Sequence, residues 1–220
     1  MAYQKKKSGS KQEIAYQYIK NAILNNEYAP DAMLVEGALC EQLGFSKTPI
    51  REALRRLATE KYVESIPEKG TFVTKLSLED LIGIYEVREA LEGMAARICA
   101  VRKDTTFIDR LQTCFDNTYS DLIEGKSELT VKEDMTFHHL ILEGSRNKNL
   151  INLSNSIIEQ INRFASTTIN DPERLKLSFF EHKEVLNAIM TGDADLAEKK
   201  IREHIRSVKD YQIKKHYNIR

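Results

Sequence analysis

Leu43-Gly44-Phe45-Ser46-Lys47-Thr48-Pro49-Ile50-Arg51-Glu52-Ala53-Leu54-Arg55-Arg56-Leu57 is the stretch that decides the fold. Gly44 stops a short helix. Ser46 is placed to cap the next one, its hydroxyl accepting from a backbone amide of the first turn. Pro49 falls within that turn, where a missing amide costs nothing. Ile50, Leu54 and Leu57 share one helix face and oppose Leu39 and Leu43 of the helix before, so two helices meet across Gly44-Phe45. Upstream, Ile14, Tyr18, Ile19, Ala22 and Ile23 mark a first helix ending near Asn25-Asn26, and the second is predicted over Leu34 to Leu43. Downstream, Tyr62 to Ile66 and Thr71 to Thr74 alternate with period two around a turn at Pro67 to Gly70, which is a β-hairpin signal. Three helices followed by a hairpin predict a winged helix-turn-helix over residues 11–75. Residues 1–10 read as a disordered tail.

The residues just after the turn carry the chemistry of double-stranded DNA recognition, because a recognition helix enters the major groove by its N-terminal end. Arg51 offers a bidentate fork to guanine, and Lys47 reaches guanine or phosphate. The hydroxyls of Ser46 and Thr48 suit phosphates, with Arg55 one turn further on. Lys69 beside Gly70 at the wing tip suits the minor groove or its phosphates. A solvated basic helix face is the bland alternative for any one of these residues. Their place between turn and wing favours DNA.

Bulk composition neither demands nor forbids this partner. The 220 residues carry 33 basic and 33 acidic side chains. Through Lys75 there are 12 Lys and Arg against 9 Asp and Glu, and afterwards 21 against 24, so the first segment is mildly basic and the second mildly acidic. No apolar run is long enough for a membrane span and the N-terminus lacks a signal-peptide core, so a cytoplasmic location is expected. Cys40, Cys99 and Cys114 make an odd count without Cys-x-x-Cys spacing, which reads as small buried thiols.

From Ser77 onward the pattern is helical throughout, so a domain boundary falls near Lys75-Leu76-Ser77 and residues 76–220 form a second, all-α domain. Apolar residues at 81, 84, 87, 91, 94, 95 and 98 mark its first helix over 78–101. Further helices are predicted over about 105–124, 127–143, 148–169, 172–191 and 194–213, and six helices make a bundle. Asp134 and His138 share one helix face, and His182 and His204 lie among apolar residues of the last two helices. Three such imidazoles with one carboxylate suit a divalent ion. Each histidine alone is more often a hydrogen-bonded core or surface residue than a ligand. His139 projects about 100° from His138, and His216 lies in a polar tail. Neither is taken as a ligand.

The run from Leu43 to Leu57, within residues 13–74, resembles the DNA-binding domain of GntR-type bacterial transcription regulators. That resemblance implies Lys47, Thr48, Arg51 and the wing at Lys69-Gly70 as DNA contacts. Gly37 stands where many such proteins carry an arginine that touches DNA, so that contact is absent here. Asp134-x-x-Phe137-His138, Glu181-His182 with Ala188-Ile189-x-x-Gly192-Asp193, and Ala197 through His204 resemble the effector-binding FCD domain of the FadR branch. Metal-binding members hold a divalent ion inside the bundle, which implies Asp134, His138, His182 and His204 as ligands of Zn, Ni or Mn. The resemblance also implicates this domain in dimerisation. Arg88, in Tyr85-x-x-Arg88-x-x-Leu91-Glu92, matches an arginine directed into the cavity, where its fork suits a carboxylate. A salt bridge to Glu86, Glu89 or Glu92 is its alternative role.

The expected protein is therefore a homodimeric, non-enzymatic repressor that binds a palindromic operator and responds to a small organic acid held beside a metal ion. Two other readings compete. In one the metal itself is the signal. In the other the metal activates water in an enzyme, but no general base stands out beyond the ligands.

Overall fold

The hydroxyl of Ser10 accepts from the Glu13 amide and starts α1 (Lys11–Leu24), which buries Tyr16, Ile19 and Ile23. The computed structural model describes residues 9–75, 77–125, 127–165 and 171–217, so most of the expected N-terminal tail lies outside the described residues. The next element differs from expectation. Met33–Leu34 form a short strand, β1, and the second helix, α2, spans Glu36–Leu43. Leu34 is buried and Met33 exposed, as an edge strand requires, but two residues are too few to show a period in the sequence.

Gly44, at φ +66°, ends α2 in the left-handed region. Ser46 does adopt the extended backbone of an N-cap before α3 (Lys47–Thr59), but its hydroxyl makes no capping bond. The expected cap fails for a local reason. A capping side chain accepts from the second or third helical amide, and Pro49 at the third position removes one of these two donors, leaving only Thr48. The hairpin then forms from β2 (Val63–Ile66) and β3 (Gly70–Val73), with Val63 opposite Val73 and Ile66 opposite Gly70. β1 adds to the other edge of β3, giving a three-stranded antiparallel sheet in the order β1-β3-β2. Leu39, Ile50, Leu54, Leu57, Tyr62 and Val73 join the face of α1 in one core.

The chain divides between this unit and a second that begins at Ser77. The second unit contains α4 (Leu78–Arg102), α5 (Thr105–Ile123), α6 (Ser127–Gly144), α7 (Lys148–Ala165), α8 (Pro172–Thr191) and α9 (Ala194–Tyr217). Ser77 and Asp80 form a reciprocal capping box at the start of α4, and Asp171 caps α8 ahead of Pro172. α4 lies at the centre of the bundle and packs against α9, α7, α6 and α8. Its inward face is Leu81, Tyr85, Glu92, Ala95, Ala96 and Cys99, whereas Val87 and Met94, two of the apolar residues that mark it in the sequence, face outward. Cys99 and Cys114 are buried and Cys40 half-buried, and none of the three is in a disulfide. No described helix is long and apolar enough to cross a membrane.

Candidate metal centre and DNA interface

An apolar bundle core normally excludes charge, because an unpaired buried ion costs several kcal/mol. In this bundle Glu92, His138, His182 and His204 are each at most 4% exposed. α6 supplies His138, α8 supplies His182 and α9 supplies His204. Their Nε2 atoms form a near-equilateral triangle, 3.2 Å from His182 to each of the others and 3.1 Å between His138 and His204. Phe137 stacks on the His182 ring at 4.1 Å between centroids and blocks its rotation.

The other ring nitrogens define what those Nε2 atoms offer. Glu92 Oε2 lies 2.6 Å from His138 Nδ1, and Glu181 Oε2 lies 2.7 Å from His204 Nδ1. A carboxylate there accepts the Nδ1 proton, which leaves Nε2 as a lone-pair donor. Asp134 Oδ1 stands 3.7 Å from His182 Nδ1, so it too lies behind an imidazole, outside the group of donor atoms that converge. Burial drives the His204 pKa down to about 4 against the upward pull of Glu181, and burial with its two histidine neighbours drives His182 well below the usual range. Burial raises the Glu92 carboxyl, but Arg88 and His138 outweigh it and hold it ionised far below its ordinary value.

The Nε2 lone pairs of His138 and His204 face each other at 3.1 Å and repel unless a proton or a cation sits between them. Nitrogens bound at about 2.0–2.1 Å to one ion stand about 2.9 Å apart in cis octahedral geometry and about 3.4 Å apart in a tetrahedron. The observed triangle falls between these, so the donor set fits a divalent first-row ion. Arg88 is nearly buried and gives Nε to Glu92 Oε1 at 2.6 Å, which makes it an interior partner of Glu92 rather than a surface residue. Arg174 bonds Glu181 from the far side of His204. His139 is half-exposed against Glu143, and the side chain of His216 lies outside the described residues.

In the first unit, Ser46, Lys47, Thr48, Arg51 and Arg55 are all exposed on one side of α3, while Ile50, Ala53, Leu54 and Leu57 fill the core from the other. Arg51 rests on Glu36 at 2.9 Å and Arg55 on Glu52 at 2.9 Å. Exposed pairs of this kind contribute about 0–1 kcal/mol, so phosphate or guanine can displace the acids. Lys69 is exposed at the hairpin tip, and Gly70 is held at φ +117° with Met33 against it, where a Cβ would lie 2.8 Å from the Met33 methyl carbon. Gly37 is exposed at the start of α2 with open space around it.

Residues 11–73 match the bacterial regulatory proteins of the gntR family, and residues 83–207, more than half of the chain, match the FCD domain. This chain is an FCD-domain regulator of the gntR family. The regulator is 31% identical over 169 residues to the Nta operon transcriptional regulator of Aminobacter aminovorans, covering 76% of this chain and 78% of that protein. It is 29% identical over 171 residues to the probable D-xylose utilization operon transcriptional repressor of Paenarthrobacter nicotinovorans, covering 77% and 74%. The solved structure of Escherichia coli McbR/YncC shares its fold, with a TM-score of 0.74 at 20% identity over 94% of this chain and 99% of that one. As an FCD regulator the protein binds DNA and controls transcription, and it is not an enzyme.

Sequence reasoning did not assign the regulator's two carboxylates behind His138 and His204. Glu181 is next to His182, and a helix turns that neighbour about 100° onto a different contact. Glu92 carried a usable signal. It recurs with Leu81, Tyr85, Ala95 and Cys99 on the inward face of α4, and an acid at such a position needs a buried partner.

Proposed function

We propose that this regulator represses transcription from a palindromic operator, as a pair of chains in the cytoplasm, and that its helical unit holds a divalent metal ion on which a small carboxylate acts as effector. His138, His182 and His204 are the ligands in this reading. Asp134 is the fourth candidate, its present position being behind His182. The observation that carries it is the triangle of Nε2 atoms, two of whose rings are backed by a carboxylate in hydrogen-bond contact. When bound, the ion would supply an electrophilic anchor for a carboxylate.

Charge favours an anionic effector. Among the described residues, the carboxylates of Glu92, Glu181 and Asp134 surround the imidazoles together with the guanidiniums of Arg88 and Arg174. That set is one negative charge in excess, a divalent ion makes it one positive charge in excess, and one carboxylate restores neutrality in a medium that tolerates little net charge. On the DNA side, Arg51, Lys47, Thr48, Ser46 and Arg55 would face the major groove and Lys69-Gly70 the minor groove.

Metal analysis of protein made without a histidine tag tests this first, with His138→Ala and His182→Ala beside the native chain. About one ion per chain, lost in both variants, supports the reading. No ion after reconstitution with zinc, nickel or manganese removes the metal while leaving the DNA function in place. Operator affinity that follows free metal with no organic acid present would instead make the metal the signal.

A further inference from the structure

Where the first half of α8 passes the end of α9, a groove of about 420 Å³ opens on the surface of the bundle. Leu177 and Phe180 line it and are 49% and 53% exposed, and the ring of Tyr211 forms the α9 side. Its charged residues are Glu173, Arg174 and Lys176. A mostly apolar cleft of that size with a few polar groups is the usual form of a small-molecule site.

Arg174 says what kind of molecule. It is 7% exposed, and two of its nitrogens are committed: Nη2 donates to Glu181 Oε2 at 2.5 Å and Nη1 to Ser207 Oγ at 3.0 Å. Its Nε is buried and makes no hydrogen bond among the described residues. A guanidinium nitrogen only donates, so an acceptor alone can satisfy it, and a buried donor left unmade is costly and uncommon. Glu173, the acid of the groove, is exposed and does not supply that acceptor. The walls are set before any ligand arrives. Glu181 and Ser207 hold the guanidinium, and the Tyr211 hydroxyl donates to Asp171 across the two helices, so binding would order little.

We infer that this groove is a second ligand site, taking an amphipathic small molecule with its apolar body on Leu177, Phe180 and Tyr211 and an acidic head on Arg174. A carboxylate meets a guanidinium donor more strongly than a neutral acceptor does. Lys176 offsets Glu173 at the rim, so the groove does not repel an anion. The site is distinct from the three histidines, because Glu181 stands between Arg174 and His204, bonded to both. It therefore goes beyond the effector proposed above, and it does not depend on the metal.

The test titrates the full chain with 2-naphthoate and with decanoate in a calorimeter, with and without a chelator. At least one of the two is expected to bind with a Kd of about 1 mM or below. The matching amide should bind about tenfold or more weakly, since it loses a hydrogen bond between charged groups. Arg174→Lys keeps a cation beside Glu181 but lacks the Nε donor, and should weaken binding about tenfold as well. Leu177→Ser/Phe180→Ser alters only exposed side chains, which spares the fold, and should weaken binding to a similar extent. Chelation and His138→Ala should leave the affinity unchanged. No binding of either anion at about 1 mM, amides equal to acids, or native affinity in the Leu177→Ser/Phe180→Ser variant would each overturn the inference. Affinity lost on chelation or in His138→Ala would overturn it too, by placing the ligand at the three histidines, and would support the metal-held carboxylate instead.

Discussion

One carboxylate oxygen of Glu92 lies 2.6 Å from His138 Nδ1 while the other lies 2.6 Å from Arg88 Nε, so a single buried acid orients an imidazole and holds a guanidinium. Removing its charge disturbs both. Glu92→Gln is expected to lower metal affinity by about 10–100-fold, the usual effect of losing an outer-shell partner of a ligating histidine. Competition with a chromogenic chelator measures it. An unchanged affinity would show that His138 does not need Glu92 to present Nε2.

Arg88 stands at the other end of that contact. Arg88→Met removes the cation and leaves Glu92 ionised in the core, which costs about 3–5 kcal/mol. Urea denaturation of the metal-free chain should show the loss. The same variant should give no change in operator affinity with any carboxylate that acts on the native regulator. A variant that kept full stability would place Glu92 in contact with other positive groups.

Asp134 distinguishes two roles by magnitude. As a direct ligand, its change to Asn should reduce metal binding about as severely as His182→Ala. As the carboxylate behind His182, its position in this structure, the loss should stay within about 10–100-fold. Parallel titrations of the two variants decide between them.

On the DNA side the charged residues should separate by kind. Arg51→Ala is expected to cost about 1–3 kcal/mol on the operator and relax discrimination at one base pair. Lys69→Ala should weaken all sequences alike and reduce the salt slope by about 1. Affinities measured across a salt series on operator and scrambled duplexes give both numbers. An Arg51 effect equal on both duplexes would assign it to phosphate.

Acid should loosen the first unit through Glu60. Burial raises its carboxyl, but the hydroxyl of Tyr16 at 2.6 Å and Arg56 at 3.1 Å outweigh that and leave its pKa depressed. A depressed folded pKa contributes stability that is full above the unfolded value of about 4.3 and is lost as pH falls through the folded value. Glu60→Gln should therefore be less stable than the native chain at pH 6 and converge with it once the pH has fallen below the folded value. Amide exchange across Tyr16–Ile23 in the full chain reports it, and a gap that persisted at low pH would mean that packing, not charge, is involved.

Order and type of the elements follow from local rules that act within a few residues. Gly44, Pro49 and the Asp171-Pro172 pair impose turns and helix starts wherever they occur, and apolar spacing marks the helices, so the winged helix, the boundary near Ser77 and the six-helix count were all legible. The exposed basic face of α3 was legible for the same reason, since a helix cannot bury Arg51 and Ile50 on one side. Three histidines at apolar positions also announced themselves, because such a position obliges a polar ring to find a partner.

Only the tertiary structure decided which partner each one has. The pairing of Leu34 with Thr71, the placing of Glu92 behind His138 and of Glu181 behind His204, and the position of Asp134 beside His182 join residues between 23 and 48 positions apart. The phase of α4 was settled in the same way. Its apolar residues lie on two sides, and periodicity cannot say which side faces the core until α6, α8 and α9 are packed against it. The physical reason is one of range. Backbone conformation is set by neighbours along the chain, whereas a buried charge is stabilised by whatever the fold brings within about 3 Å, and no local rule carries that distance.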